Sequence, residues 1–362
     1  MNDISTIVRQ VGKNFVLPLF YDQAAASIVN KIPGASPVGA ADVGAQILIA
    51  REIKKRFPDD CFFGEETIPS FFGPKIGHGQ AVEHFDISRP LDLSCKNDTA
   101  FVELARDILV AHKPAKSGNR LDDFKPAKET AWIVDPVDGT SSFKKGLPYF
   151  CVQLARVQQG RIVGAWVYRP VQDQLFRATA NVDPQIVTFD KKDRPIAAPL
   201  TLPPVKPLEE MRVAYAPAKP YVPLDDVAKA IYTKEDGSCL SFEELAARFS
   251  KDVQNVTPAV AYAFSVTDMF LQNVDAVCMP GTLAWDHFAT AYIARRAGYQ
   301  VAFLNREAYL GSNYTVPLTE NGTIKQKGGI LYTHPKVWPN LDWTMNRGPC
   351  QERLKALSST LG

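Results

Sequence analysis

The stretch Trp132-Ile133-Val134-Asp135-Pro136-Val137-Asp138-Gly139-Thr140 runs from apolar residues into a turn carrying two carboxylates, a glycine and a hydroxyl. Asp135 and Asp138 flank Pro136-Val137, so both carboxylates and the Val137 carbonyl can face one concavity as hard oxygen ligands, the donor type that suits Mg²⁺. Gly139 lets the backbone approach an anion closely. Thr140 begins the next element, where N–H groups without intrahelical acceptors attract phosphate and a hydroxyl can orient water. The same residues also spell an ordinary Asp-Pro turn closed by an Asx hydrogen bond. Alone, the motif leaves both readings open.

Two more acidic clusters shift the balance. Cys61-Phe62-Phe63-Gly64-Glu65-Glu66 is a second apolar run that ends in glycine and a carboxylate pair, after the turn Phe57-Pro58-Asp59-Asp60. A solvated strand end has the same composition. Ala284-Trp285-Asp286-His287 opens a segment in which Ala289, Ile293 and Ala297 recur at helical spacing, with Gly298 as a stop. Asp286 then stands at a helix N-terminus, where a plain cap also uses aspartate.

Taken together, strand-GEE, strand-DPVDGT and WD-helix resemble the inositol monophosphatase-like superfamily of Mg²⁺-dependent, lithium-sensitive phosphatases. The resemblance extends upstream, where Ser36-Pro37-Val38-Gly39-Ala40-Ala41-Asp42 is similar to the family segment that ends in an aspartate before the first long helix. Val43, Ile47, Ala50, Ile53 and Phe57 give that helix a buried stripe. Helix capping is the plain role for Asp42. The resemblance covers the chain from its N-terminal helix to about Gly298 and is weakest over residues 67–130 and at the C-terminus.

The resemblance implies a site, position by position. Glu65, Asp135 and the Val137 carbonyl hold one Mg²⁺; Asp135, Asp138 and Asp286 hold a second; Glu65 faces a looser third. Gly139, Thr140 and Ser141 offer backbone N–H groups to the phosphate. Asp42 and Thr140 orient the attacking water, so hydrolysis proceeds by direct attack of metal-activated water, with bridged ions about 3.5–4 Å apart and no covalent phosphoenzyme. Glu66 supports the ligands from behind. The implied fold is α+β and α/β in one layered αβαβα sandwich, with the site between its halves.

Departures from the family bear on substrate. Inositol-selective members carry a sugar-reading glutamate seven residues before the metal aspartate, where this chain has Met279. A thioether cannot make those hydrogen bonds, so Met279 predicts an apolar leaving-group contact and disfavours myo-inositol monophosphate. Gly298-Tyr299 replaces the usual Gly-Gly, and Gly39 stands where threonine is common. Residues 67–130 form a long insertion, as in relatives acting on 3′-phosphoadenosine 5′-phosphate, and the Ser36-Pro37-Val38 run and the Phe57-Pro58-Asp59-Asp60 turn point the same way. Its cations Lys113, Lys116, Arg120, Lys125 and Lys128 suit a second phosphate, or simply a solvated charged loop.

At 362 residues the chain exceeds the usual size of one core, which predicts two domains, residues 1–206 and 207–362. A formal net charge of +2 is too mild to predict a nucleic-acid polymer or a membrane surface as partner; a small phosphorylated substrate fits, and so does a homodimer. The six cysteines show no CxxC pair and read as reduced thiols. Met1-Asn2-Asp3-Ile4 lacks a signal core, which predicts a cytoplasmic protein. Five histidines without metal-ligand spacing disfavour zinc. His287 reads as a hydrogen-bonded neighbour of the site rather than a substrate contact.

Phe150 to Val157, Arg161 to Tyr168 and Gln174 to Ala178 read as an antiparallel meander with turns at Gln159-Gly160 and Arg169-Pro170. The proline-rich stretch from about Asn181 to Met211 predicts a crossover between domains. Beyond it, Met211 to Tyr215 and Val274 to Met279 read as strands, and Thr257-Pro258 as a helix start. Two rival classes remain. A haloacid dehalogenase-type phosphatase also uses an Asp-Gly-Thr loop, but its nucleophile pattern is Asp-x-Asp near the domain start, against Asp-x-x-Asp here. A non-catalytic phosphate-binding member must tolerate clustered carboxylates without turnover. Sugar, polyol, histidinol and 3′(2′),5′-bisphosphate nucleotide esters all remain open as substrates.

Overall fold

The computed structural model describes residues 2–21, 28–29, 38–65, 129–207, 210–215, 255–258, 261–303, 309–310, 313–318 and 328–336. Its larger sheet is built from runs in which apolar residues occupy both faces. β3 (Cys61–Gly64), β4 (Thr130–Asp138), β5 (Cys151–Gln158), β6 (Arg161–Arg169), β7 (Gln174–Thr179), β8 (Val182–Phe189) and β9 (Pro195–Pro199) follow one another in space as in sequence; the short pair β1 (Ile28–Val29) and β2 (Val38–Gly39) precedes them. β3 and β4 are parallel and every later neighbour is antiparallel. The expected meander is β5 to β7, and its first hairpin turns through Gln159 (φ 49°) and Gly160 (φ 70°).

Alternation sends the two faces of this sheet into two cores. Trp132, Val134, Leu154, Trp166 and Tyr168 pack against Ile4, Val8, Phe15, Ile49 and Ile53 from the N-terminal helices Asn2–Val11 and Ala40–Arg56 and the wide helical stretch Gly12–Val16. Ile133, Ala155, Val167 and Phe176 face the opposite way, against the helices Tyr262–Phe270 and Ala284–Arg296. Each fully buried side chain of this size contributes about 1.5–3 kcal/mol. The two helices are covered in turn by a five-stranded sheet ordered β11 (Asn255–Pro258), β10 (Arg212–Tyr215), β12 (Ala276–Thr282), β14 (Gly328–Thr333), β13 (Gln300–Phe303). The described residues thus alternate helix, sheet, helix, sheet, the layered order of the expected sandwich.

Two expectations need correcting. Thr257 and Pro258 pair with Ala214 and Tyr215 in β11, at the sheet edge, where a missing N–H is tolerated; the helix begins at Tyr262. The proline-rich segment is not a bare linker, because β8 and β9 complete the first sheet within it, and the chain passes to the second sheet between Pro199 and Arg212. The helix from Ala284 does stop at Gly298, whose φ of 95° is left-handed. Cys61, Cys151 and Cys278 are free thiols. No helix among the described residues is long and apolar enough to cross a membrane. Glu66, the insertion cations and the side chain of Val43 lie outside the described residues.

Candidate metal centre

Residues three apart in a regular strand face opposite sides of the sheet. Along β4, however, Asp135 pairs with Gln153 while Asp138 pairs with Cys151, so three steps on one strand match two on the other. The extra residue is a bulge at Pro136-Val137. It turns both aspartates to the face shared by Cys151 and Gln153, toward the two inner helices. The Asx turn is present as well, with the Val137 N–H donating to Asp135 Oδ1 at 3.1 Å. That bond orients Asp135 and accounts for one of its oxygens.

The remaining acids arrive on separate elements. Parallel pairing of Gly64 with Val134 continues one step further, where the Glu65 N–H donates to the Val134 carbonyl at 3.0 Å and sets Glu65 beside Asp135. Asp138 is fixed by the Tyr262–Phe270 helix, whose N-cap, Ala261, has no side-chain acceptor of its own. The Ala263 N–H donates to Asp138 Oδ2 at 2.7 Å and the Tyr262 N–H to Oδ1 at 3.3 Å, so Asp138 caps this helix from a distant strand. Asp286 occupies the first turn of its own helix and accepts the Leu283 N–H at 2.7 Å. The plain cap and the shared acidic site are here the same carboxylate.

One oxygen from each of Asp135, Asp138 and Asp286 lies within 4.8 Å of the others. Asp135 and Asp138 are buried and Asp286 is partly open. Burial, followed by the charges of Glu65, Asp138, Asp286 and Asp42, holds the Asp135 carboxyl well above the usual carboxylate range. An all-oxygen set of crowded, half-desolvated carboxylates fits a hard divalent cation, which would offset their repulsion.

Beside the triad, Thr140 Oγ1 lies 2.9 Å from Asp42 Oδ1 and 3.1 Å from the Val137 carbonyl, across 98 residues in the first case. Asp42 is buried in the first turn of the Ala40–Arg56 helix. Gly139 has φ 93°, and a β-carbon there would meet the Tyr149 carbonyl at 2.6 Å and Ala261 Cβ at 2.7 Å. Only glycine fits that turn. It opens the short helix Thr140–Lys144, on which Ser141 is exposed.

Met279 and His287 are placed differently from expectation. Met279 is fully buried in the apolar core, paired with Ile330 of β14, so it has no surface for the leaving-group contact expected of it. His287 is also buried, with Tyr309 edge-on at 4.8 Å, and neither ring nitrogen has a hydrogen-bond partner among the described residues. Burial lowers its pKa to about 3. Sequence reasoning missed the N–H groups of Tyr262 and Ala263, which carry no side-chain signature. It also missed Gln153, which had one: a lone amide inside the apolar run Phe150-Cys151-Val152-Gln153-Leu154-Ala155.

Comparison with known proteins gives this geometry a context. The model of the inositol monophosphatase family matches residues 19–338. An inositol-1-monophosphatase of Rhizobium meliloti is 35% identical over 92 residues, 25% of this chain and 35% of that protein. Inositol monophosphatase 2 of Solanum lycopersicum is 42% identical over 118 residues, 29% and 43% respectively, and a Nus factor SuhB of Vibrio cholerae is 27% identical over 196 residues, 54% and 65%. In each case the chain spans less than two thirds of the relative's length. In structure, the extragenic suppressor protein suhB of Bartonella henselae superposes with a TM-score of 0.60 at 18% identity, covering 96% of this chain and 98% of that one. An IMPase of Thermotoga maritima gives 0.58 at 16% identity, with 96% of both chains covered. With the family model spanning most of its length, the chain belongs to the inositol monophosphatase family.

Proposed function

We propose that this chain is a Mg²⁺-dependent phosphomonoesterase acting on a small phosphate ester. The observation that carries the reading is the convergence of Asp135, Asp138 and Asp286 within 4.8 Å, beside the Asp42–Thr140 hydrogen bond. Asp135, Asp138 and Asp286, with Glu65 and the Val137 carbonyl beside them, are the oxygen donors that would hold the Mg²⁺ ions. Mg²⁺ held there would supply acidified water and charge compensation at the ester oxygens. The chain's own groups do the positioning. Asp42 accepts the Thr140 proton, which leaves the lone pairs of Thr140 Oγ1 to accept a hydrogen bond from the attacking water and aim it. Gly139, Thr140 and Ser141 present N–H groups to the phosphate, at a turn that only glycine can open.

The test is phosphate release, with Mg²⁺ and with EDTA, over a panel of inositol monophosphate, sugar phosphates, histidinol phosphate and 3′(2′),5′-adenosine bisphosphate. Mg²⁺-dependent release from at least one ester is expected, without a trapped phosphoaspartate. Binding of an ester without release would favour the non-catalytic alternative, and a phosphoaspartate the haloacid dehalogenase-type route.

A further inference from the structure

Gln153 is the one amide in the apolar interior of β5, completely buried between Val152 and Leu154. It is the cross-strand partner of Asp135, so the two side chains leave the sheet on the same face, about 5 Å apart at their β-carbons. Its Nε2 donates to the main-chain carbonyl of Asp286 at 3.0 Å. The amide orientation is not arbitrary, because that carbonyl can only accept and the NH₂ end must therefore face it. Gln153 Oε1 is turned away and finds no donor among the described residues.

An aliphatic side chain of the same size would fill this position without stranding a buried acceptor, a loss that ordinary packing does not explain. What the amide does accomplish is a link. One of its ends is set by the backbone opposite Asp135, and the other grips the residue that supplies the Asp286 carboxylate, on an element that enters the core 133 residues later. Neither the bulge in β4 nor the cap on the Ala284–Arg296 helix fixes the distance between these two carboxylates.

We propose that Gln153 is a positioning residue for the metal centre: it ties the first turn of the Asp286 helix to the strand face of Asp135 and so sets the separation that the ligands present to an ion. This rests on the reading of the site as a divalent-cation centre.

The test compares wild type with Gln153→Leu and Gln153→Met by Mn²⁺ binding, followed by calorimetry and by loss of the free-ion EPR signal, alongside unfolding in EDTA. Leu keeps the volume and removes both polar ends; Met keeps the unbranched length and likewise has no group to donate to the Asp286 carbonyl. Wild type is expected to bind Mn²⁺. Both variants should bind it about tenfold or more weakly, while Gln153→Leu in EDTA is at least as stable as wild type, because the stranded acceptor is gone. A side chain that only packs gives the opposite pattern, with Leu less stable in EDTA and Mn²⁺ affinity unchanged, and that result overturns the assignment. Unchanged Mn²⁺ affinity in Gln153→Met, which retains the unbranched shape, overturns it independently of how Leu behaves. If wild type itself binds no Mn²⁺, the metal-centre reading fails, and the role of Gln153 fails with it.

Discussion

Replacing Asp135 by asparagine should produce a protein that is more stable than wild type without metal and less responsive to metal. At an effective dielectric of about 20, two unit charges 4.8 Å apart repel by about 3.5 kcal/mol, and Asp135 takes part in two of the three pairs of the triad. Protonation limits the penalty. Its carboxyl is raised from an ordinary 3.8, and at about 1.4 kcal/mol per pH unit the cost of folding it at pH 7 cannot exceed about 4.4 kcal/mol. The sign follows from the direction: a raised carboxyl contributes fully below pH 3.8, and that contribution is lost as pH rises toward the raised value. In EDTA, wild-type stability should therefore decline upward from about pH 4 relative to Asp135→Asn, leaving a deficit at pH 7 that is bounded by that ceiling of about 4.4 kcal/mol. Saturating Mg²⁺ should reverse the order, since the two proposed ions, each at a hundredfold its Kd, return about 5.4 kcal/mol to wild type, more than that ceiling, and far less to a variant that has lost a shared ligand. Urea unfolding at several pH values, with EDTA and with Mg²⁺, measures all of this. An asparagine variant that is less stable than wild type in EDTA at pH 7, or that gains as much from Mg²⁺, would refute the reasoning.

Two other variants separate roles that lie close together. Thr140→Ala should lower kcat by about a hundredfold or more, through the loss of water alignment, and leave the Mg²⁺ concentration for half-activation within about twofold; an equal loss of metal affinity would make Thr140 a support of the ligands instead. His287→Leu should remove a pH dependence: because the folded imidazole titrates near 3, wild type keeps its full stability above about pH 6.5 and loses up to about 1.4 kcal/mol per unit as pH falls toward 3. The difference curve between wild type and His287→Leu should have that slope and sign, and a flat one would mean the ring finds a proton acceptor when charged.

The fold was legible wherever local chemistry and global packing agree. Gln159-Gly160 marks a hairpin because the turn itself requires left-handed backbone, and the stripe Ile47, Ala50, Ile53 marks a helix face because burial has the helix's own period. Prolines misled for the opposite reason. Pro258 reads as the start of a helix and Pro195 and Pro199 as part of a crossover, yet each lies on an edge strand, where the absent N–H has no neighbour to miss. Whether a strand is an edge depends on the order of strands in space, which no short window of sequence contains.

The candidate site shows the same division. Asp135, Asp138 and Asp286 could be picked out because carboxylates beside glycine or at a helix start are conspicuous in a short window of sequence. Their convergence depends on a bulge visible only once β4 is laid against β5, and on two N–H groups of a helix that begins 124 residues after Asp138. Met279 fails as a substrate contact for a related reason: sequence places it seven residues ahead of Asp286, and β14 then buries it. Gln153 lies between these cases. A buried amide in an apolar strand is visible in the sequence as an anomaly, but its meaning waits for the partner across the strand and the carbonyl it reaches. Such anomalies carry information because a position that only packs would be filled by an aliphatic side chain without a stranded acceptor.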